Sequence, residues 1–434
     1  MKLLIKGGHV VDLTGQGLIR QDVLIEDGLI TALGNVSSGG DVTVLPAEGL
    51  LVAPGLIDLH THLREPGFEE KETILTGTRA AVRGGFTCVS AMPNTRPVTD
   101  TGAVAGFVRR KADEAGWARV YPIGAVTVGQ EGREMAPLGE LKAAGVLAVS
   151  DDGHAVASAG LLRNAMRYAR MCDLLVISHC EDVTLSAGGS MNEGFTATRL
   201  GLKGVPATAE EVMVARDILL AGETGCRLHI AHVSTAGSVR LVREAKARGV
   251  AVTAEATPHH FTLTEEACGG YDTNTKVNPP LRSAADVAAV REGLADGTID
   301  AIATDHAPHT QAEKEVEYEL APFGISGLET AVALVFTELV HTGVLTAARA
   351  MALLSREPAR ILGLTAGVLA VGAAADLTLI DPALERTVDP ASFESKGRNS
   401  PFAGRSLKGW PVAVVRSGRV LMQGGQLTAP GGVL

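Results

Sequence analysis

The feature that most constrains this chain is a series of eight short apolar runs, each closing on a polar residue able to ligate or hydrogen-bond. They are GLIDLH to His60, FTCVSAMPN to Asn94, VYPIGAVT to Thr127, VLAVSDD to Asp152, LLVISH to His179, RLHIAH to His232, VAVTAEATPHH to His260 and DAIATD to Asp305. Each is followed by an Ala-rich stretch with helical spacing of its apolar residues. That alternation predicts a parallel sheet with crossover helices. Eight units over roughly 300 residues match a (β/α)8 barrel, an α/β fold whose active site lies at the carboxyl ends of its strands. A doubly wound open sheet is the alternative, and the lack of a glycine fingerprint after the first strand argues against it.

The ends of the chain have a different texture. Residues 1–54 read as short strands separated by glycine turns, in LLIKGGHVVDL, DVLIEDGLITALG and VTVLPAEGLLVAPG. Residues 366–434 repeat the style in ADLTLIDP and VAVVRSGRVLMQGG, the latter with the strand–Gly–strand pattern of VLIEDGLITALG. The expected organisation is therefore a small β-sandwich built from both termini (1–54 and 366–434) around a barrel over 55–365. Aromatic residues are only 3% while Gly reaches 51, so the core must rest on Ala, Val, Leu and Ile with tight turns. The charged, Gly/Pro-flanked segment 310–325 reads as a long loop or lid after the eighth strand.

Lys+Arg 39 against Asp+Glu 49 gives a net charge of −10, which repels phosphate backbones and anionic lipid, so nucleic acid is not an expected partner. No stretch approaches the roughly 20 apolar residues of a membrane span, and the start lacks a signal-peptide pattern. A soluble, cytoplasmic protein is expected. The five cysteines (Cys88, Cys172, Cys180, Cys226, Cys268) have no paired spacing and read as reduced, mostly buried thiols.

His60 and His62 sit two apart at the end of a strand, and a period of two puts both imidazoles on one face. His179, His232 and Asp305 end three other strands and converge on the same rim. Imidazole and carboxylate without thiolate suit zinc or a similar divalent ion in a catalytic site. Five ligands exceed what one tetrahedral ion needs and point to two metals, roughly 3.5 to 4 Å apart, with an anionic bridge. Asp151 and Asp152, in VSDDG, both offer that bridge, the other being free to cap the turn. Among the remaining histidines, His154 reads as a turn residue, His229 as packed in its strand and His306 as turned away by alternation. His259 and His260 divide between the pocket and a supporting hydrogen bond to it.

PGLIDLHTHLREPG, AMPNTRP, SDDG, SHCED, AHVST, VNPPLR and ATDHAPH, in this order, resemble the bacterial type I dihydroorotases of the amidohydrolase superfamily. The resemblance implies that His60, His62 and Asp305 bind the more buried of two zinc ions, that His179 and His232 bind the second, and that Asp152 bridges them. Dihydropyrimidinases and allantoinases usually bridge with a carbamylated lysine on the fourth strand, and VLAVSDDG has no lysine. It further implies that Arg64, Asn94 and His309 clamp a substrate carboxylate, while Asn278, Phe323 and Gly324 contact a pyrimidine ring, with His62 beside it. A guanidinium grips a carboxylate with two parallel hydrogen bonds, and an uncharged substrate would not require one.

The implied reaction is the reversible closure of N-carbamoyl-L-aspartate to L-dihydroorotate, the third step of pyrimidine synthesis, with Asp305 as general acid and base. Two rival readings differ in kind: another cyclic amidase (dihydropyrimidinase, hydantoinase or allantoinase), or a non-catalytic dihydroorotase-like subunit, which should have lost metal ligands. The partner is a small-molecule substrate, and the resemblance implies a homodimer or an association with aspartate carbamoyltransferase.

Overall fold

The computed structural model describes residues 2–13, 17–36 and 42–428. The extreme limits of the expected sandwich, Met1 and 429–434, lie outside the described residues. The termini build a β-sandwich whose strands form one hydrogen-bonded sheet of nine. Five strands come from the N-terminal side, Lys2–Asp12, Gly17–Glu26, Leu29–Gly34, Thr43–Pro46 and Leu51–Pro54, and four from the C-terminal side, Leu377–Thr387, Ser406–Arg416, Arg419–Gln423 and Gln426–Leu427. The two sets meet where Leu51–Pro54 pairs antiparallel with Leu377–Ile380. Leu3, Ile5, Val23, Ile25, Val52, Leu377, Leu379 and Val415 then share one buried cluster, so neither end could bury its apolar face without the other.

The two strand–Gly–strand motifs are both tight hairpins. Asp27 and Gly28 (φ 50° and 84°) join Glu26 to Leu29, and Ser417 and Gly418 (φ 49° and 76°) join Arg416 to Arg419. A two-residue turn with both central residues left-handed matches the strand twist, and Gly in second place makes it inexpensive.

The barrel strands are Leu56–Thr61, Phe86–Ala91, Arg119–Pro122, Ala148–Val149, Leu175–Ser178, Leu228–Ile230, Val252–Ala256 and Ala301–Ile302, all parallel to their neighbours. Two bridges close the ring, Gly124 to Val149 and Thr61 to His306, the second continued by His62 N donating to His306 O at 2.8 Å. Helices including Ile74–Arg83, Gly102–Ala115, Ala159–Met171, Thr208–Thr224, Ala236–Ala247 and Ala284–Asp296 cover the outside. Val89, Val120, Val149, Val176, Leu228 and Ile230 pack with them in the largest apolar cluster. Helix Arg356–Leu362 packs Ile361 and Leu362 against Leu59, Leu175, Ile177, Ala301 and Ala303. Arg227, just ahead of the sixth strand, donates to Ile361 O at 3.2 Å, so this helix closes the amino end of the barrel, away from the ligand-type residues.

Three features go beyond the reading of the sequence. The seventh strand stops at Ala256, because Thr257 caps a helical turn, Pro258–Thr262, whose first position holds a proline without a needed N–H. Between the fifth and sixth strands lies a small parallel pair, Met191–Asn192 with Gly204–Val205, braced by the buried Arg282 bonding Asn192 Oδ1 and Val205 O. The segment 310–325 contains a one-turn helix, Gln311–Lys314, and is fastened at two points. Lys314 Nζ donates to Thr273 O (2.9 Å) and Pro322 O (2.8 Å), and Lys276 Nζ to Glu319 O (2.8 Å).

Candidate metal centre and substrate pocket

At the carboxyl end of the barrel the first and eighth strands are tied below the site by a buried carboxylate. Asp58 Oδ1 accepts from Thr304 N (3.0 Å) and Oδ2 from Thr304 Oγ1 (2.6 Å). A shift of register between Asp58 and Thr61 turns His60 and His62 into the barrel, and Asp305 follows Thr304. This is why His62 Nε2 stands 3.1 Å and His60 Nε2 3.5 Å from Asp305 Oδ1.

Asp152 lies among all four histidines, its carboxylate oxygens 3.3 Å from His60 Nε2, 3.4 Å from His62 Nε2, 3.6 Å from His179 Nδ1 and 3.6 Å from His232 Nε2. Asp151 points elsewhere, accepting from Val126 N, Thr127 N and Thr127 Oγ1. Two ligand triads result among the described residues, His60–His62–Asp305 and His60–Asp152–His232, and His179 joins the second with Nδ1 2.9 Å from His232 Nε2.

His232 has φ 33° and Asp305 φ 47°. His229 is inward-facing, so simple alternation would send His232, three residues on, out toward the helices. The left-handed turn brings it back, at a cost of about 1–3 kcal/mol for a non-glycine residue held there.

The supporting carboxylates escaped the reading of the sequence. Glu255 lies 2.8 Å from His60 Nδ1 and 3.0 Å from His229 Nε2. Glu181 lies 3.0 Å from His179 Nε2 and accepts from Asn278 Nδ2 at 2.8 Å. Each fixes the ring so that the other nitrogen faces Asp152. The available signals were Glu255 at an inward position of the seventh strand and Glu181 two residues beyond His179.

The electrostatics fit a cation-binding centre. Burial would keep His60 neutral, yet Asp152 and Asp305 raise it well above its ordinary value, and Asp152 with Glu181 lifts His179 to about 10 against the same burial. Burial alone would raise Asp152 and Asp305, and the surrounding imidazoles hold both far below the usual carboxylate range. His60 Nε2 and Asp152 Oδ1 are buried without a hydrogen-bond partner, 3.3 Å apart. A ring nitrogen and a carboxylate oxygen left orphaned side by side are the donors a divalent ion takes up, and the N/O set suits zinc.

Above the centre opens a cavity of about 320 Å³ lined by His62, Arg64, Asn94, Asp152, His179, His232, Asn278, Asp305, His309, Phe323 and Gly324, with the fully buried His60 beneath it. Asn94 Oδ1 accepts from His62 Nδ1 at 2.8 Å. Arg64 (φ 63°) donates through Nε to Pro308 O at 3.2 Å and reaches His309 Nε2 at 3.3 Å. Among the described residues it makes no ion pair; burial pulls it down to about 10, which leaves it charged at neutral pH. His309 Nε2 also lies 2.9 Å from Phe323 O. Gly324 (φ 132°) sits where a Cβ would fall 2.7 Å from the Ala307 Cβ and 2.8 Å from its carbonyl oxygen. Its N–H is committed to Lys276 O at 2.9 Å and its carbonyl accepts from Asn399 Nδ2 at 3.0 Å, which leaves one carbonyl lone pair and the bare Cα for a ligand.

The other histidines stand apart. His154 is exposed in the turn after Asp152, its N–H on Asp151 O. His306 is buried against Glu72 at 3.2 Å. His260 lies 2.8 Å from Thr257 Oγ1 and 2.9 Å from Pro279 O, beside Asn278, and the buried His259 packs on it.

A family model described as dihydro-orotase-like matches residues 49–238. The chain is 64% identical over 423 residues to a dihydroorotase of Pelotomaculum thermopropionicum, covering 98% of this chain and 99% of that one. It is 53% identical to a dihydroorotase of Caldanaerobacter subterraneus subsp. tengcongensis, covering 98% of each. Among solved structures, an L-hydantoinase (dihydropyrimidinase) from Arthrobacter aurescens superposes with a TM-score of 0.88 at 26% identity, over 98% of this chain and 97% of that one. A D-hydantoinase from a Thermus species gives 0.84 at 26% identity, over 98% and 96%.

Proposed function

The chain belongs to the dihydroorotase family, a branch of the cyclic amide hydrolases, and from that premise we propose how its own residues carry the reversible closure of N-carbamoyl-L-aspartate to L-dihydroorotate and water. We assign two zinc ions to the centre, the more buried to His60, His62 and Asp305, the second to His179 and His232, with Asp152 between them. Bound there, the ions would supply positive charge that polarises the ring amide carbonyl and acidifies water.

The remaining work falls to side chains. In ring opening, the Asp305 carboxylate takes the proton that water sheds and returns it to the departing ring nitrogen; in closure it takes the proton from the attacking carbamoyl nitrogen and gives it to the departing hydroxyl, which leaves as water. Glu255 and Glu181 hold the His60 and His179 rings in the tautomer that presents a lone pair to the centre. Arg64, Asn94 and His309 hold the substrate carboxylate, and Asn278, Phe323, Gly324 and His62 flank the ring.

The observation that carries the substrate assignment is Arg64, a guanidinium at the cavity wall that makes no ion pair among the described residues. Dihydroorotate brings a carboxylate to it, whereas hydantoin and dihydrouracil would leave it desolvated and unpaired. We further propose that the chain works as a homodimer or in association with aspartate carbamoyltransferase, which sedimentation of the protein alone and mixed with that enzyme would test.

The deciding assay offers zinc-loaded protein L-dihydroorotate, dihydrouracil, hydantoin and allantoin. Turnover should strongly favour dihydroorotate, and Asp305→Asn should lower it at least about 10²-fold, the lower end of what general acid–base catalysis supplies. Faster opening of an uncharged ring would move the reading to a hydantoinase-type amidase, and no turnover at full metal content would move it to a non-catalytic subunit.

A further inference from the structure

The C-terminal half of the sandwich does not stay in the sandwich. Between strands Leu377–Thr387 and Ser406–Arg416, residues 393–400 cross to the mouth of the barrel. Arg398 Nη1 folds this segment by donating to Phe393 O at 2.7 Å and to Ser395 O, and Ser395 Oγ donates to Glu72. Gly397 lets it lie flat against the barrel: a Cβ there would fall 2.4 Å from Ser326 Oγ and 2.5 Å from Pro308 Cβ.

The segment delivers one buried amide, Asn399, 4% exposed. Its Oδ1 accepts from His309 N at 3.1 Å and from Ser326 Oγ at 3.0 Å. Its Nδ2 donates to Ala307 O at 3.2 Å and Gly324 O at 3.0 Å. A primary amide has two donors and two acceptor lone pairs, and all four are used, on the two strips of backbone that carry His309 and Gly324. Ala307 N also bonds Ile325 O directly at 2.8 Å, so the amide tightens strips already in contact.

We propose that Asn399 is a positioning residue for substrate recognition, holding His309 and Gly324 at the spacing that seats the carboxylate and ring of the substrate. The proposal rests on the assignment of His309 and Gly324 to substrate contact. Asn399 bonds none of the candidate metal ligands, so its influence should fall on binding and leave the metal centre intact. Misplacing a binding group by about 1 Å can cost on the order of 10²-fold, so a rigid brace at this point has leverage.

The test uses full-length, zinc-loaded protein with L-dihydroorotate as substrate, comparing wild type, Asn399→Ala and Asn399→Asp for KM, kcat, zinc content and melting temperature. Asn399→Ala should raise KM by about 10- to 10²-fold with kcat changed far less and zinc content equal to wild type. Asn399→Asp keeps Oδ1 but sets an oxygen against the Ala307 and Gly324 carbonyls. Its KM should therefore exceed that of wild type at pH 8, and the ratio of the two should shrink as the pH falls and a protonated carboxyl donates again. That pH-dependent rescue keeps the test open even where the alanine variant does not fold. An unchanged KM in a folded variant, a parallel loss of zinc, or a pH-independent ratio for Asn399→Asp would overturn the proposal. If wild type itself fails to turn over dihydroorotate, or Arg64→Met leaves KM unmoved, the substrate assignment fails instead.

Discussion

Glu255 Oε1 lies 2.8 Å from His60 Nδ1, which leaves His60 Nε2 facing Asp152 at 3.3 Å and Asp305 at 3.5 Å. The buried carboxylate is held down to about 2 against its burial by His229 and His60, so it stays charged and fixes the His60 tautomer. Glu255→Gln should weaken metal retention about 10- to 100-fold, the usual cost of losing such a partner. Metal content after graded chelation, with turnover restored by excess zinc, is the measurement; unchanged retention would remove Glu255 from the centre.

Asp151 and Asp152 are adjacent and chemically alike, yet their variants should fail differently. Asp152→Asn should lose metal and turnover. Asp151→Asn should keep its metal and lose about 1–3 kcal/mol of stability, because it weakens the carboxylate that gathers Val126 N, Thr127 N and Thr127 Oγ1. Elemental analysis beside thermal melts separates the two, and the reverse ranking would exchange their roles.

Arg64→Met keeps side-chain length and removes the charge. It should lower kcat/KM for dihydroorotate by about 2 to 5 kcal/mol in transition-state terms, as for loss of one member of a buried charge pair. It should also narrow the preference over dihydrouracil. Equal effects on charged and uncharged rings would show that Arg64 does not meet the carboxylate.

Glu329 gives a pH signature away from the site. Burial pushes its carboxyl up to about 8, against the pull of Ser395 N and Arg83. With the folded value above the unfolded one, the native state holds an extra proton between about pH 4.5 and 8, so stability falls as pH rises through that window, by at most about 1.4 kcal/mol per pH unit. Glu329→Gln should flatten the wild-type decline in melting temperature between pH 5 and 8. A variant curve parallel to wild type would mean Glu329 ionises normally.

The amino-acid sequence alone determined the fold class through local periodicity, and the ligand-type residues at its strand ends named most of the candidate ligand set. Eight apolar runs with helical intervals admit few closed architectures, and a period of two puts His60 and His62 on one face whatever the rest of the chain does. The family resemblance added Arg64, Asn94, Asn278, His309, Phe323 and Gly324, all of which line one cavity.

Tertiary structure alone decided what depends on contacts between distant segments. Asp152 was separated from Asp151 by which of them the turn at Val126 and Thr127 captured. His232 reached the centre through a left-handed residue that alternation does not foresee. Glu255 and Asn399 carry no motif of their own, and each matters because a group 195 or 90 residues away in the chain comes within hydrogen-bonding distance; Glu181, inside SHCED, meets Asn278 from 97 residues on. Periodicity is a property of neighbours along the chain, whereas a buried polar group is satisfied by whatever the folded chain brings beside it, and only the closed barrel with its crossing C-terminal segment fixes that.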